Sequence, residues 1–444
     1  MEKVAPVCGG GRLLREARPG AVVSHALSAA FSPGPAPERL GVAVSGGGDS
    51  LALLLLAQDW AAGRGVALRA VTVDHGLRPQ AAGEARVVSE TCAARGISHE
   101  VLYWRGWSGA GNLQAEARAA RYGLMAEWAR RGDIPAVALG HTMDDQAETV
   151  LLRLARGSGV DGLSGMAPAR RALGVDWLRP MLGLRRAALR DYLRERGVDW
   201  AEDPSNDDPR YDRVKARAAL AALAPLGVGV AGLVETAARL SDARAALEEG
   251  ARAAAAGMLR VEAGDVLIEA APFRALPRET RERIFAHAMC WIASAPYRPR
   301  HAALRRAIER ALDGQGGTLH GCLVSARPGD LRLSREPRAV VGLRAPVGGV
   351  WDNRWRLVPP PGHDIVGEGA ASGGAAEIAA LGEGGLRACP DWRAAGLPRA
   401  TLIAAPALWR GETLLAAPLA GKANGWTAEL IDGGAGLFKM ALSD

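Results

Sequence analysis

Three short segments of the chain gather the residues whose types and spacing could do chemistry: SGGGDS at 45–50, DHG at 74–76 and GHTMDDQAE at 140–148. The first lies between a short apolar run at 41–44 and a longer one that starts at Leu51. Its amides and hydroxyls (Ser45, Gly46, Gly47, Gly48, Asp49 and Ser50) can therefore ring an anion at the positive end of a helix. The loop lacks the lysine and the spacing of GxxxxGK[ST], so it is not a Walker-type phosphate loop. Asp49 would repel a phosphate unless a metal ion or a bonded amide offset it, and a metal role is the preferred expectation. Asp145 and Glu148 stand three apart, which puts both carboxylates on one face of a helix. They could hold magnesium, an ion that takes oxygen ligands and bridges phosphates, or steer an amine. An acidic first turn favoured only by the helix dipole is the plain alternative; the position after a strand, beside a serine-rich loop, tips the reading toward chemistry. His75 and His141 each follow a strand and are expected to contact a nucleotide or pass a proton, although a structural role at a strand end fits them equally well.

The elements that must position these residues alternate. GVAV, ALRAVTVD, SHEVLYW and AVAL read as strands, and helical patterns separate them. Such alternation predicts an α/β fold, a parallel sheet with helices on both faces, and places all three segments at strand ends, where open sheets bind ligands. Residues 1–38 read as a low-signal leader that ends in SPGPAPERL, and 39–223 as the catalytic domain. Residues 224–312 read as an alanine-rich helical region, and 313–444 as a small strand-containing domain with glycine-punctuated strands. Tryptophans 351, 355, 392, 409 and 426 in that last part are expected in its core.

With 444 residues, 48% of them hydrophobic and 23% charged, the chain has globular composition and room for two or three domains. The formal charge of +7 favours polyanionic partners only weakly. All but four of its 55 basic residues are arginine, whose forks suit phosphate. Residues 274–310 carry nine arginines with Tyr297, His287 and His301 interleaved, which gives a candidate RNA-binding surface; a solvated helix face is the competing reading. The five cysteines (Cys8, Cys92, Cys290, Cys322 and Cys389) are scattered, with no CxxC pair, which fits a reducing, cytoplasmic setting without structural zinc. The run at 51–57 is too short to span a bilayer, so no membrane role is expected. The sequence leaves a homodimer open.

The SGGGDS loop resembles that of the ATP pyrophosphatases, which cleave ATP between the α and β phosphates. Three further segments resemble one branch of that superfamily, the tRNA(Ile)-lysidine synthetases. These are VDHGLRP at 73–79; an N-L-x-x-x-x-R-x-x-R-Y pattern met by Asn112, Leu113, Arg118, Arg121 and Tyr122; and H-x-x-D-D-Q-x-E-T followed by R-G-S-G at 141–159. DPSNDD at 203–208 with Arg213 and Arg217 resembles a fourth block. Where many members have a second histidine this chain has Thr142, and Arg213-Val214-Lys215 stands where R-N-R is usual.

The resemblance implies an adenine-nucleotide α-hydrolase-like fold, ATP as substrate with Mg2+, and partners L-lysine and the isoleucine tRNA with a CAU anticodon. It further implies adenylation of the wobble cytidine and its replacement by lysidine, which switches the tRNA from methionine to isoleucine. In that chemistry Arg118, Arg121, Arg213 and Arg217 would neutralise phosphate charge, Asp49 and Asp145 would hold the metal, and Asp145 and Glu148 would receive the amine. A sister tRNA thiolase would commonly use cysteines in the catalytic motifs, and none is there. A small-molecule amidotransferase would need an N-terminal glutaminase domain, for which no room exists before Gly41. A decayed, non-catalytic relative is disfavoured by the intact Ser45, Asp49, Ser50, Asp145 and Glu148.

Overall fold

The computed structural model describes residues 18–76, 81–105, 113–202, 208, 210–362 and 375–439. The expectations for Cys8, for 77–79, for Asn112 and for 203–207 lie outside the described residues. Two compact units divide the chain between Arg244 and Ala245.

The first unit runs α1 (Pro19–Ala30), β1 (Arg39–Ala43), α2 (Gly48–Ala61), β2 (Ala67–Asp74), α3 (Ala81–Ala93), β3 (Ser98–Tyr103) and α4 (Leu113–Arg131). It continues with β4 (Ala136–Ala138), α5 (Met143–Ala155), α6 (Val160–Leu163), β5 (Ala169–Ala172), β6 (Val175–Leu178), α7 (Arg186–Glu195) and α8 (Asp212–Leu223). Its sheet has the order β3-β2-β1-β4-β6-β5, all parallel except the edge strand β5, which pairs antiparallel with β6. The sheet is thus mixed, because the hairpin β5–β6 turns through Leu173 and Gly174, both at positive φ.

Both faces are covered. Val42 and Val44 pack with α1, α2, α3 and α7, whereas Ala43 and Val71 pack with Met125, Trp128 and Ala129 of α4 and with Trp177. This is the two-residue alternation of a strand buried on both sides. Helix α2 is apolar all round, with Leu51 to Ala57 at most 1% exposed, and so lies between the sheet and other helices. Helix α1 falls within the stretch read as a leader, yet its Val23 and Leu27 are fully buried in the same core. Its fourfold apolar spacing was hidden by small residues. Because α2 carries the loop at 45–50, its packing is expected to govern the site: Leu54→Ala should cost about 2–5 kcal/mol in urea unfolding.

Helix α9 (Val230–Ala256) spans the division. In the second unit follow β7 (Leu259–Glu262), β8 (Asp265–Glu269), α10 (Ala270–Ala275), α11 (Arg278–Ala293), α12 (His301–Leu312), β9 (Gly317–Leu319), β10 (Cys322–Arg327) and β11 (Asp330–Arg335), which make the sheet β7-β8-β11-β10-β9. This sheet joins strands from both sides of residue 313, where the sequence suggests a boundary, since β8 pairs with β11. The hairpin β7–β8, with Ala263 and Gly264 at positive φ, is what the alanine-rich texture concealed. Trp351, Trp355 and Trp426 are buried in a further core, as expected of them.

Of the arginines in 274–310, Arg283 is buried against Glu279 at 2.9 Å, while Arg278, His301 and Arg305 gather round the buried Glu282. That stretch is therefore partly structural. The described cysteines form no disulfide. No single helix among the described residues is long and apolar enough to cross a membrane.

Candidate active site

The loop after β1 is shaped by two serines and its glycines. Gly46 sits at φ +87°, a conformation natural to glycine, with its carbonyl accepting from the amide of Ala201 at 3.1 Å. The Ser50 hydroxyl donates to the Gly47 carbonyl at 2.9 Å and accepts from the Ser45 amide at 3.0 Å, so the Ser45 hydroxyl is left to donate to it at 3.2 Å. Ser50 is therefore spent inside the loop, and the exposed Ser45 is the serine turned toward solvent. Gly47 caps α2 without any side-chain hydrogen bond, so the first amides of α2 remain ready for an anion. A Cβ on Gly48 would lie 3.2 Å from the Trp200 ring, and one on Gly140 would lie 3.3 Å from the Ser50 nitrogen, so a side chain at either position would press its neighbour aside by a few tenths of an ångström.

Asp145 enters at the third position of α5, in a capping box with Thr142. Its Oδ2 accepts from the Thr142 amide and hydroxyl, both at 2.8 Å, and its own amide donates back to the Thr142 hydroxyl at 3.3 Å. This explains the threonine where the resembling family often has histidine: the position is the helix cap. One turn on, Glu148 is 1% exposed; its Oε1 accepts from Arg217 Nε at 2.8 Å, and its buried Oε2 has no hydrogen-bond partner. Asp49, Asp145 and Glu148 converge on a residue that the motifs do not mark, Arg186. It lies 2.8 Å from Asp49, 3.1 Å from Asp145 and 3.6 Å from Glu148. Arg213 reaches Asp145 at 3.5 Å.

The electrostatics separate the three acids. Burial pushes Asp49 up despite Arg186. Burial also pushes Glu148 up, and the neighbouring charge of Asp145 adds to it, against Arg217 and Arg186. For Asp145 burial acts the same way, but Arg186, Arg213 and the Thr142 bonds together outweigh it and hold the carboxyl below its usual range. The donor set is all oxygen, and no group of three or more metal-ligating side chains is gathered among the described residues. Asp49 and Asp145 alone suit magnesium, which takes one or two carboxylates and completes its shell with phosphates and water.

A cavity of about 470 Å³ opens beside the loop at the ends of β1 and β2, lined by Ser45, Thr72, His75, Arg121, Met125 and Tyr211 among others. Its place and size fit a nucleotide. His75 lies edge-on to Trp104 at 5.9 Å. His141 is brought to about 3 chiefly by burial, with Arg179, Arg121 and Arg213 adding to it against Asp145. It is therefore neutral near pH 7 and ill suited to ferry protons there. The four motif arginines divide: Arg121 lines the cavity, Arg213 and Arg217 pair with the carboxylates, and Arg118 is exposed with its guanidinium 5.3 Å from the Tyr122 ring. Lys215 pairs with Asp212 at 3.8 Å, away from the carboxylates.

Sequence reasoning missed Arg186, and gave no role to Asp144, the motif residue that fixes it. Asp144 accepts from the Arg186 amide at 2.8 Å and faces Arg185 at 3.1 Å. The available signal was two arginines at the start of a helix, Arg185 as cap and Arg186 as first residue, where the dipole disfavours cations.

The profile of the PP-loop domain family matches residues 21–223, the span that holds every residue of this site. A tRNA(Ile)-lysidine synthase of Ruegeria pomeroyi is 49% identical over 423 residues, covering 95% of this chain and 98% of the relative. That of Hyphomonas neptunium is 41% identical, covering 68% of this chain and 84% of its own, and that of a Bradyrhizobium species is 39% identical, covering 69% and 92%. With 49% identity to the first of these over 95% of this chain and 98% of the relative, and with Asp49, Asp145 and Glu148 gathered round Arg186 beside the loop, the chain belongs to the tRNA(Ile)-lysidine synthase family.

Proposed function

We propose that this chain ligates L-lysine to the wobble cytidine of the CAU-anticodon isoleucine tRNA, consuming ATP and releasing AMP and pyrophosphate. The observation that carries the reading is the convergence of Asp49, Asp145 and Glu148 beside an open helix N-terminus and a nucleotide-sized cavity. In the first step the cytidine carbonyl oxygen attacks the α phosphate and pyrophosphate leaves. The α2 amides and Arg121 would hold phosphate charge as it shifts. Arg213 and Arg217, paired with acids here, can turn to phosphate only by leaving them. In the second step the lysine amine attacks the activated ring carbon and AMP departs; the amine must first lose a proton, and Asp145 and Glu148 form the acidic pocket for it. Magnesium, when bound by Asp49 and Asp145, would neutralise phosphate oxygens. Reaching the base means unstacking an anticodon nucleotide, so the second unit is assigned a tRNA-gripping role. The reading places the enzyme in the cytoplasm, as a ligase of tRNA modification.

The test is AMP release by the purified full-length chain with ATP, Mg2+ and lysine, with the CAU isoleucine transcript or methionine tRNA. Lysine-dependent release with the isoleucine tRNA alone is expected, and it should disappear in Asp49→Ala. Release without RNA, or indifference to lysine, would overturn the assignment.

A further inference from the structure

Arg186 ties together three segments of chain that carry the site. Its Nε donates to Asp49 in the first turn of α2 at 2.8 Å, its Nη2 donates to Asp145 in α5 at 3.1 Å, and its Nη1 lies 3.6 Å from Glu148 one turn further on. The guanidinium therefore stands where the three carboxylates point. It does so from the first residue of α7, where the helix dipole opposes a cation. Asp144 offsets that opposition, accepting from the Arg186 amide at 2.8 Å and pairing with Arg185.

Charge is balanced within this cluster. Asp49, Asp145 and Glu148 are faced by Arg186, Arg213 and Arg217. A free cation arriving here meets no unmatched negative charge and finds its place taken by a fork that makes two hydrogen bonds at once. A nucleotide changes the balance, because its polyphosphate supplies several negative charges to which guanidiniums can turn.

We propose that Arg186 is a positioning residue that reserves the carboxylate cluster, so that the metal enters only with the nucleotide. The inference rests on the reading of this crevice as an ATP site. It does not depend on the identity of the RNA. It makes entry of the cation depend on the nucleotide.

The experiment uses Mn2+ as the probe for the metal, with the full-length chain and no nucleotide, following the electron paramagnetic resonance signal of free Mn2+. Wild type is expected to show no saturable binding. Arg186→Gln should bind one Mn2+ at least about tenfold more tightly, as expected when one positive charge a few ångströms away is removed from a partly exposed site. Arg186→Lys keeps the charge and should continue to exclude the ion. A contact that is merely structural would not make a metal bind better when removed. Saturable binding by wild type without nucleotide, or a Gln variant no tighter than wild type, overturns the proposal. Should the Gln variant fail to fold, the wild-type arm still decides, since it needs no substitution. Loss of the lysine and tRNA dependence of AMP release, with Mn2+ exclusion intact, would instead strike the proposed reaction and leave this inference standing.

Discussion

Asp145→Asn is expected to lower lysine-dependent AMP release by about 10²–10³-fold, the range seen when one preorganised electrostatic partner of a transition state is lost. The substitution is nearly isosteric, and the new carbonyl can still accept from the Thr142 amide, so the helix cap survives. What changes is charge: Arg186 and Arg213 lose the acid they share, at 3.1 Å and 3.5 Å, and a magnesium ion held by Asp49 and Asp145, as proposed, would lose one of its two carboxylates. The Mg2+ concentration for half-maximal rate should rise as kcat falls. Thr142→Ala supplies the contrast, because it removes the capping hydroxyl and keeps the acid. It should cost about 1 kcal/mol in thermal or urea unfolding and reduce turnover far less than Asp145→Asn does. Equal losses from the two variants would mean that Asp145 acts through the cap alone, and its catalytic placement would be withdrawn.

The contrast between Asp145 and Arg186 shows what a sequence can and cannot carry. Asp145 and Glu148 were legible because their spacing of three has a direct geometric meaning on a helix, and because a strand immediately precedes them. The loop at 45–50 was legible for the same reason: strand, glycines, helix. Arg186 was not. It joins the site across 137 residues from Asp49 and 41 from Asp145, and nothing local distinguishes it from the many other arginines of this chain. Only its place at the wrong end of a helix dipole hinted at a partner. The same limit explains the hairpin β7–β8, whose partner strand β11 lies beyond α12, and the helix α1, whose core contacts are made with α2 and α7. Ser50 shows a role that its place in the motif did not suggest. Its position in the motif suggested a phosphate ligand, whereas its hydroxyl closes the loop on Gly47.

Glu148→Gln is expected to separate the two half-reactions. Pyrophosphate release with tRNA and no lysine should persist, because Glu148 faces Arg217 and Arg186 rather than the cavity that would hold the adenine nucleotide. Lysine transfer should fall by about 10²–10⁴-fold, the usual effect of losing a positioned acid–base group. The side chain is buried, its Oε2 lacks a partner, and burial followed by the charge of Asp145 raises its proton affinity above that of an ordinary carboxylate, against Arg217 and Arg186. A raised value makes a better base, and it sets the sign of the pH response. As pH falls, Glu148 takes up its proton earlier than an exposed glutamate would, and a protonated carboxyl cannot accept from the incoming ammonium. Wild-type lysine transfer should therefore decline on the acid side and level off above that transition. The Gln variant has no such plateau: only amine that is already neutral can react, so its rate should climb with pH toward the lysine value near about 10.4. Rapid-quench measurement of the transfer step from preformed adenylated tRNA, across pH, distinguishes the two shapes. A Gln variant that keeps the wild-type plateau would remove Glu148 from proton transfer and leave Asp145 as the acid that meets the amine.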